Sequence, residues 1–286
     1  MSTIVITGAS RGIGMAAALT LARAGHSVVA AMRNPGSAPE LAAISAAEAL
    51  PIAVEPMDVE SDASVAEAFR RILARGAVDV LVNNAGVERL GSIEETPLAE
   101  FRLCMETNYF GAIRCIQAVV PSMRERGRGL FVNVSSVAGK VCSSPMAPYA
   151  ASKFALEAVS EALAQEMRPF GVRVAVVQPG IIDTRMARNI EGIDTRPTMY
   201  PHARRMAAIF QTSLANGAGT PDMIAGKILE IVSSETPQLR HPAGPDAAPL
   251  LAWRASQNDE QWTDWHSVDD DAWRAAVKRD LGMDVS

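Results

Sequence analysis

Short apolar runs alternate with helical patterns over the first 180 residues, and this alternation restricts the chain to few folds. The runs are rich in β-branched residues and show little polar alternation, as expected for strands buried on both faces. They cover 3–7, 27–32, 51–57, 78–83, 129–136 and 172–179, and helical patterns cover 12–24, 37–49, 61–75, 98–126 and 148–168. Strand–helix alternation predicts a parallel sheet with helices on both faces. We therefore predict one domain, 1–286, with a Rossmann-type doubly wound α/β fold of about seven strands.

The rhythm changes after residue 180, and two additions to the domain are expected there. Residues 185–218 and the loop 140–148 are apolar and should wall a substrate site, as a lid. The lid residues that carry this expectation are Met186, Ile193, Met199, Met206, Ile209 and Phe210. They could equally pack only against one another. Residues 246–286 are predicted to form a C-terminal helical extension that contains all four tryptophans, which extend the pocket or form a subunit contact.

Composition excludes several classes of function. The 286 residues carry a formal net charge of −5 without a long basic run, so nucleic acid is not an expected partner. No apolar stretch is long enough to span a bilayer, and the N-terminus does not resemble a signal peptide. Three scattered cysteines suggest reduced thiols and a cytoplasmic location. Four histidines without ligand spacing give no reason to predict a metal.

The segment "TGASRGIG" (7–14) joins the first predicted strand to the first predicted helix. Gly8 permits a tight turn, Gly12 lets the backbone approach a pyrophosphate, and Gly14 lets the helix pack close to the sheet. Backbone N–H groups at a helix start favour phosphate. A glycine trio alone is a weak signal, but its place on the first strand of an α/β pattern favours dinucleotide binding. Ser10, Arg11 and Ile13 belong to the same predicted loop.

The end of the second predicted strand suggests which dinucleotide binds. An acidic residue there would select NAD(H), whereas a basic residue would accept the 2′-phosphate of NADP(H). The run "AAMRNP" (30–35) contains Arg33 and no acid, and Arg11 adds a second cation. NADP(H) is the predicted cofactor, although both arginines could be solvated surface residues. Asp58, followed by Val59, could bind the adenine amino group or merely start a helix.

Tyr149 precedes Lys153 by four residues, which places both side chains on one face of a predicted helix. The bland interpretation is a surface helix with a solvated lysine. The sharper one is that the ammonium lowers the pKa of the phenol, since opposite charges about 4 Å apart gain about 4 kcal/mol at an effective dielectric of 20. A phenol whose pKa approaches neutrality suits general acid–base catalysis.

Five motifs, "TGASRGIG", "NNAG" (83–86), "NVSS" (133–136), "YAASK" (149–153) and "PG" (179–180), resemble those of the short-chain dehydrogenase/reductase family in order and spacing. The resemblance covers about residues 2–185. It implies a catalytic set of Asn108, Ser136, Tyr149 and Lys153, with Ser135 as the alternative serine. It also implies that Asn84, Ala85 and Gly86 line the cofactor cleft, and that Pro179, Gly180, Ile182 and Thr184 lie beside the nicotinamide. The second strand and the tail 239–254 look like the NADP-preferring branch that includes hydroxysteroid and retinol dehydrogenases.

The resemblance implies hydride transfer between NADP(H) and a carbonyl or secondary alcohol of a hydrophobic small molecule. A steroid, a retinoid, an aromatic or an aliphatic compound would all be compatible. Alternatives are a 3-oxoacyl-thioester reductase, an isomerase or dehydratase with bound dinucleotide, and a dinucleotide-binding regulator without turnover. Members of the family commonly pair through the helices predicted at 98–126 and 148–168, so a homodimer or homotetramer is expected.

Overall fold

A seven-stranded parallel sheet forms the centre of the computed structural model, which describes residues 1–192 and 198–285. Its strands lie in the order β3-β2-β1-β4-β5-β6-β7. They are β1 Thr3–Thr7, β2 Ser27–Met32, β3 Ile52–Pro56, β4 Val80–Asn83, β5 Gly129–Val134, β6 Val172–Pro179 and β7 Arg240–Ala243. The reversal of strand order between β1 and β4 is where doubly wound sheets bind ligands, beyond the carboxyl ends of the strands.

Helices cover both faces of this sheet, which confirms the predicted fold class. They are α1 Gly12–Arg23, α2 Pro39–Ala47, α3 Asp62–Arg75, α4 Leu98–Met105, α5 Gly111–Arg126, α6 Ala147–Met167, α7 Arg185–Arg188, α8 His202–Ala215, α9 Pro221–Ser233, α10 Ala247–Ala255, α11 Asp259–Ser267 and α12 Asp270–Leu281. One buried core packs α1 and α9 against the sheet, and a second packs α3, α5 and α6 against the other face. Strands buried on both sides explain why their sequences hardly alternate.

Three parts of the fold differ from the sequence-based assignment. The predicted helix 98–126 is interrupted by a π-helical turn, Glu106–Phe110, between α4 and α5. The seventh strand, β7, and the preceding helix α9 were not located from the sequence. The buried carboxylate of Glu157 explains how β7 is held: Arg240 Nε donates to it at 2.8 Å and Gln178 Nε2 at 3.0 Å, so α6, β6 and β7 share one polar cluster.

The lid and the tail fold largely as helices. Residues of α7, α8 and the turn Asn189–Gly192 form a small apolar cluster of their own around Met206 and Phe210. Ile193 and the rest of 193–197 lie outside the described residues. Helices α10, α11 and α12 make up the C-terminal extension, which fits the predicted helical character of 246–286. Across the described residues, no helix combines the length and apolar character that crossing a bilayer requires.

Candidate active site

A cavity of about 1100 Å³ lies at the carboxyl ends of the strands. Two parts of its wall differ in composition. The glycine-loop region comprises Gly8, Ser10, Arg11, Gly12, Ile13, Gly14, Arg33, Asp58, Val59, Asn84, Ala85 and Gly86. The tryptophan region comprises Met206, Phe210, Trp253, Trp262 and Trp265. Ser136, Tyr149, Lys153, Pro179, Gly180, Ile182 and Thr184 line the same cavity. Every predicted site residue except Asn108 therefore lies on its wall.

The glycine loop is held by backbone geometry and by Asn84. Gly8 has φ +67° and Gly12 has φ +55°, the left-handed region that favours glycine. A Cβ at Gly14 would overlap the carbonyl oxygen of Gly8 and lie 2.5 Å from Asn84 Nδ2. Asn84 Nδ2 in turn donates to the carbonyls of Thr7 and Gly8, at 2.9 and 3.2 Å. The loop is thus fixed close to β4, while a Cβ at Gly12 would meet no neighbouring atom closer than 3.7 Å.

The predicted selectors of the cofactor lie at the open edge of this region. The side chain of Arg33 is 69% exposed, and its Nη1 lies 3.9 Å from a carboxylate oxygen of Glu60. So weak and exposed an ion pair leaves the guanidinium able to reorient toward a phosphate. Arg11 is exposed just before α1. Asp58 accepts a hydrogen bond from the backbone N–H of Glu60 at 3.1 Å, as a residue that shapes a turn would.

Tyr149 and Lys153 are both buried on the same turn of α6, with Lys153 Nζ 5.6 Å from the centre of the tyrosine ring. Lys153 Nζ donates to the Val134 carbonyl at 2.9 Å, at the end of β5. Ser136 follows that strand, and its Oγ accepts a hydrogen bond from the Ala138 N–H at 3.1 Å. Neither side chain lies on a solvated surface, so the interpretation of this spacing as a surface helix with a solvated lysine is wrong.

The expected lowering of the Tyr149 pKa is wrong. Burial raises the pKa of Tyr149, the charge of Glu88 raises it further, and the Ser136 hydroxyl acts in the opposite direction. Burial also lowers the pKa of Lys153 to about 8. The sequence shows that an ammonium lies one turn away, but it does not show that both groups leave water. Desolvation penalises the charged form of each, and here it outweighs their attraction.

Asn108 lies behind the cavity wall rather than on it. Its Oδ1 accepts from the Val87 N–H at 2.8 Å and its Nδ2 donates to the Val87 carbonyl at 2.9 Å, so the amide clamps the chain after β4. Nδ2 also donates to Ser152 Oγ at 2.8 Å on α6. A Cβ at Gly86 would lie 3.2 Å from Asn108 Oδ1 and 3.8 Å from Lys153 Nζ. The predicted asparagine therefore connects the clamped loop to the tyrosine–lysine helix.

Two acidic residues of the site were missed from the sequence. Asp246 Oδ2 accepts from the Ile181 N–H at 2.8 Å, and its other oxygen would overlap a Cβ placed on Gly180. Glu88 lines the cavity two residues after "NNAG". A carboxylate just past the carboxyl end of a central strand was a usable signal for Glu88. Asp246 is 66 residues beyond Gly180, and nothing local predicts their contact.

The tryptophans divide into two sets. Trp253, Trp262 and Trp265 line the cavity, with ring centres 5.2 to 6.3 Å apart. Trp262 Nε1 also donates to the Cys142 carbonyl at 3.1 Å, which ties the extension to the loop 140–148. Trp273 instead packs in a separate apolar cluster. Of the lid residues, Met186, Met206, Ile209 and Phe210 line the cavity, whereas Met199 is 95% exposed, contrary to expectation.

No group of three or more potential metal ligands occurs within 1–192 and 198–285. Hydroxyl, ammonium and carboxylate groups line the cavity beside a phosphate-compatible loop. The loop also fits a dinucleotide sterically, because Gly12 carries no side chain that would occupy the approach to its backbone.

Comparison with known proteins agrees with this geometry. A family model described as short chain dehydrogenase matches residues 2–193. The chain is 37% identical to retinol dehydrogenase 8 of Bos taurus, with 88% of this chain and 85% of that protein covered. It is 35% identical to a 3-ketodihydrosphingosine reductase of Bacteroides thetaiotaomicron, with 87% and 90% covered. A gluconate 5-dehydrogenase from Burkholderia cenocepacia, solved in complex with NADP and tartrate, aligns with TM-score 0.72 and 27% identity, covering 84% of this chain and 92% of that one.

The chain belongs to the short-chain dehydrogenase family and is an oxidoreductase of that family.

Proposed function

We propose that this chain transfers a hydride between NADP(H) and a carbonyl or secondary alcohol carbon of a hydrophobic small molecule. The observation that carries the proposal is the placement of Ser136, Tyr149 and Lys153 on the wall of one cavity with the glycine loop. Proton-transfer groups and a phosphate-compatible loop within one site are what nicotinamide chemistry requires of a protein.

The roles of the side chains follow from their protonation states. A bound nicotinamide supplies or accepts the hydride. Because burial raises the pKa of Tyr149, its phenol is neutral near neutral pH and can protonate a developing alkoxide. Ser136 Oγ donates a hydrogen bond to the same oxygen. Lys153 is predominantly charged at neutral pH, since its pKa is about 8, and stabilises the phenolate that remains. Asn108 keeps the neighbouring loop in place.

The choice of NADP(H) rests on Arg11 and Arg33. Both are exposed, both line the glycine-loop region, and Arg33 has only a weak pairing with Glu60. A guanidinium binds phosphate oxygens in a bidentate manner, which an NAD(H) ribose would not exploit. The related gluconate 5-dehydrogenase was solved with NADP, which supports the same choice here.

A hydrophobic alcohol or ketone suits the rest of the cavity. The tryptophan region offers aromatic and thioether surface, which adapts to bulky apolar groups. The names of the relatives, a retinol dehydrogenase and a 3-ketodihydrosphingosine reductase, support an alcohol or keto substrate. We also propose a cytoplasmic location and a homodimer or homotetramer. Exposed Phe110 lies in the π-helical turn before α5, and exposed Phe154 lies on α6. Light scattering would test the assembly.

The test is the absorbance of reduced nicotinamide, followed with NADPH and NADH against hydrophobic ketones and alcohols. We expect turnover that Tyr149→Phe reduces by about 10²- to 10⁴-fold, because the general acid is removed. NADPH binding by the same variant, measured by fluorescence, should stay unchanged. Turnover that persists in Tyr149→Phe would contradict the mechanism. Tight dinucleotide binding without turnover of any compound would instead indicate the regulator.

A further inference from the structure

Glu88 is an acidic residue on the cavity wall whose carboxylate has no hydrogen-bond partner among the described residues. Other acids on the cavity wall are occupied: Asp58 by a backbone N–H, Glu60 by Thr107, Glu95 by Ser92 and Thr198, and Glu100 by Arg89. Within 1–192 and 198–285, the side chain of Glu88 forms no hydrogen bond or ion pair. It is half-buried, so an absent partner has a larger cost than it would on the surface.

The position of Glu88 is fixed by its neighbours rather than by its own side chain. The Asn108 side chain accepts a hydrogen bond from the Val87 N–H at 2.8 Å and donates one to the Val87 carbonyl at 2.9 Å. Arg89, the adjacent arginine, donates through Nη1 to the backbone carbonyl of Glu88 at 2.8 Å and through Nε to Glu100 at 2.5 Å. The guanidinium of the adjacent Arg89 therefore binds the main chain and another acid rather than the Glu88 carboxylate.

Glu88 is close enough to the proposed reacting groups to interact with their charges. Burial raises the pKa of Glu88 to about 7, and the positive charge of Lys153 acts in the opposite direction. The Glu88 charge in turn raises the pKa of Tyr149. The hydrogen bond that Lys153 Nζ forms goes to the Val134 carbonyl, and among the described residues Lys153 and Glu88 form no ion pair. The Glu88 carboxylate is therefore able to accept a hydrogen bond from a molecule bound in the cavity.

We propose that Glu88 recognises the substrate, by accepting a hydrogen bond from a hydroxyl or ammonium group borne near the reacting carbon. This inference rests on the proposed function, since the reacting carbon must lie beside Tyr149. It narrows the substrate class to amphipathic ketones and alcohols. The apolar body contacts the tryptophan region, and the polar substituent reaches Glu88. A purely hydrocarbon ketone would leave a half-buried carboxylate without a partner.

The experiment compares three ketones of equal chain length, which carry no substituent, a hydroxyl or an ammonium group on the carbon next to the carbonyl. Their kcat/KM values are measured with NADPH for wild type, Glu88→Gln and Glu88→Ala. Glu88→Gln keeps an acceptor oxygen but removes the charge. It should reduce kcat/KM about 10- to 100-fold for the amino ketone, since hydrogen bonds to charged groups contribute about 1.5–3 kcal/mol. If the hydroxy ketone is the preferred ligand, Glu88→Ala should reduce its kcat/KM about fivefold or more.

The unsubstituted ketone is the internal control, and Glu125→Gln on α5 removes an exposed carboxylate outside the cavity. A loss confined to one or both substituted ketones supports the proposal and identifies the donor. An equal loss on all three ketones would mean that Glu88 acts through Tyr149 or Lys153, and would overturn it. Unchanged kcat/KM for every compound would do the same.

A binding measurement separates this inference from the proposed function. Three tryptophans line the cavity, so their fluorescence reports occupancy without turnover. If wild type turns over none of the ketones, the proposed function fails. Titration with the matched amino and hydroxy alcohols in the presence of NADPH then decides the inference alone. Weaker binding in Glu88→Gln or Glu88→Ala than in wild type supports it, and equal binding or no binding to any variant overturns it.

Discussion

The two regions of the cavity differ in the atoms that form them: main-chain atoms in the glycine-loop region and side-chain atoms in the tryptophan region. Turns of backbone form the glycine-loop region, where Asn84 binds two carbonyls of the loop and Gly14 leaves no room for a side chain. Large side chains from separate helices form the tryptophan region, and they contact one another edge to face or stacked. The first region tolerates little change because backbone cannot move aside. The second can adapt by rotating side chains, so we expect it to determine which substrate binds.

The largest effect should follow a substitution in the glycine-loop region. In Gly14→Ala, the new Cβ would overlap the Gly8 carbonyl and lie 2.5 Å from Asn84 Nδ2. Because both neighbours are held by the sheet, the loop must shift. We expect the free energy of unfolding to fall by about 3 kcal/mol. The Kd for NADPH should rise about 100-fold, equivalent to about 2.7 kcal/mol. Denaturant unfolding and dinucleotide fluorescence measure the two effects.

Gly226→Ala on α9 is the matched control, because a Cβ there meets nothing within 4 Å. It should raise the free energy of unfolding by up to about 1 kcal/mol, the difference in helix propensity between alanine and glycine. NADPH affinity should not change. If Gly14→Ala also binds NADPH like wild type, the glycine loop accommodates a side chain at this position, and the contrast between the two regions is wrong.

The same contrast explains what the sequence could predict. Six of the seven strands, five of the flanking helices and the glycine-loop residues follow from local patterns, since each strand, turn and helix start is encoded by adjacent residues. Asp246 at Gly180 and Trp262 at Cys142 join segments that are far apart in the chain, so no local pattern predicts them. The predicted direction of the Tyr149 pKa shift is wrong for a related reason. Distance along a helix is readable from the sequence, whereas the burial that desolvates the phenol comes from the whole fold.

A smaller effect is expected at the exposed edge of the glycine-loop region. Arg33→Ala removes the guanidinium that should bind the 2′-phosphate. We expect kcat/KM with NADPH to fall about 10- to 100-fold, the value of a charge-assisted hydrogen-bond pair, and kcat/KM with NADH to stay unchanged. Arg70→Ala is the control, since Arg70 is equally exposed but pairs with Glu67 on α3. Equal losses with both dinucleotides would contradict a role in cofactor selection.

In the tryptophan region, Trp262→Ala should weaken binding of the substrate and leave binding of the cofactor unchanged. The change removes an indole that contacts Trp253 and binds the Cys142 carbonyl. We expect KM for a bulky ketone to rise about tenfold, since aromatic pairs contribute about 0.5–1.5 kcal/mol beyond area burial. KM for NADPH should not change. Trp273→Phe, outside the cavity, should lower stability without changing either KM. A rise in the KM for NADPH with Trp262→Ala would mean that the two regions are not independent.

The last effect concerns Glu88, on the wall of the same cavity, and it depends on pH. Burial raises the folded-state pKa of Glu88 to about 7, above its ordinary value of 4.5. Between these values the folded chain holds a proton that the unfolded chain releases, so wild type loses stability as pH rises through this range. Each pKa unit corresponds to about 1.4 kcal/mol, and solvent reaching a half-buried group reduces the total to about 1–2 kcal/mol.

Glu88→Gln lacks this titration, and its free energy of unfolding should therefore rise by that amount relative to wild type between about pH 4 and pH 8. Denaturant unfolding of the cofactor-free chains at both pH values measures the difference, in which groups common to both chains cancel. If the difference in the free energy of unfolding between the two chains does not change with pH, the Glu88 carboxylate is well solvated. Burial in the cavity would then give it no need of a hydrogen-bond partner.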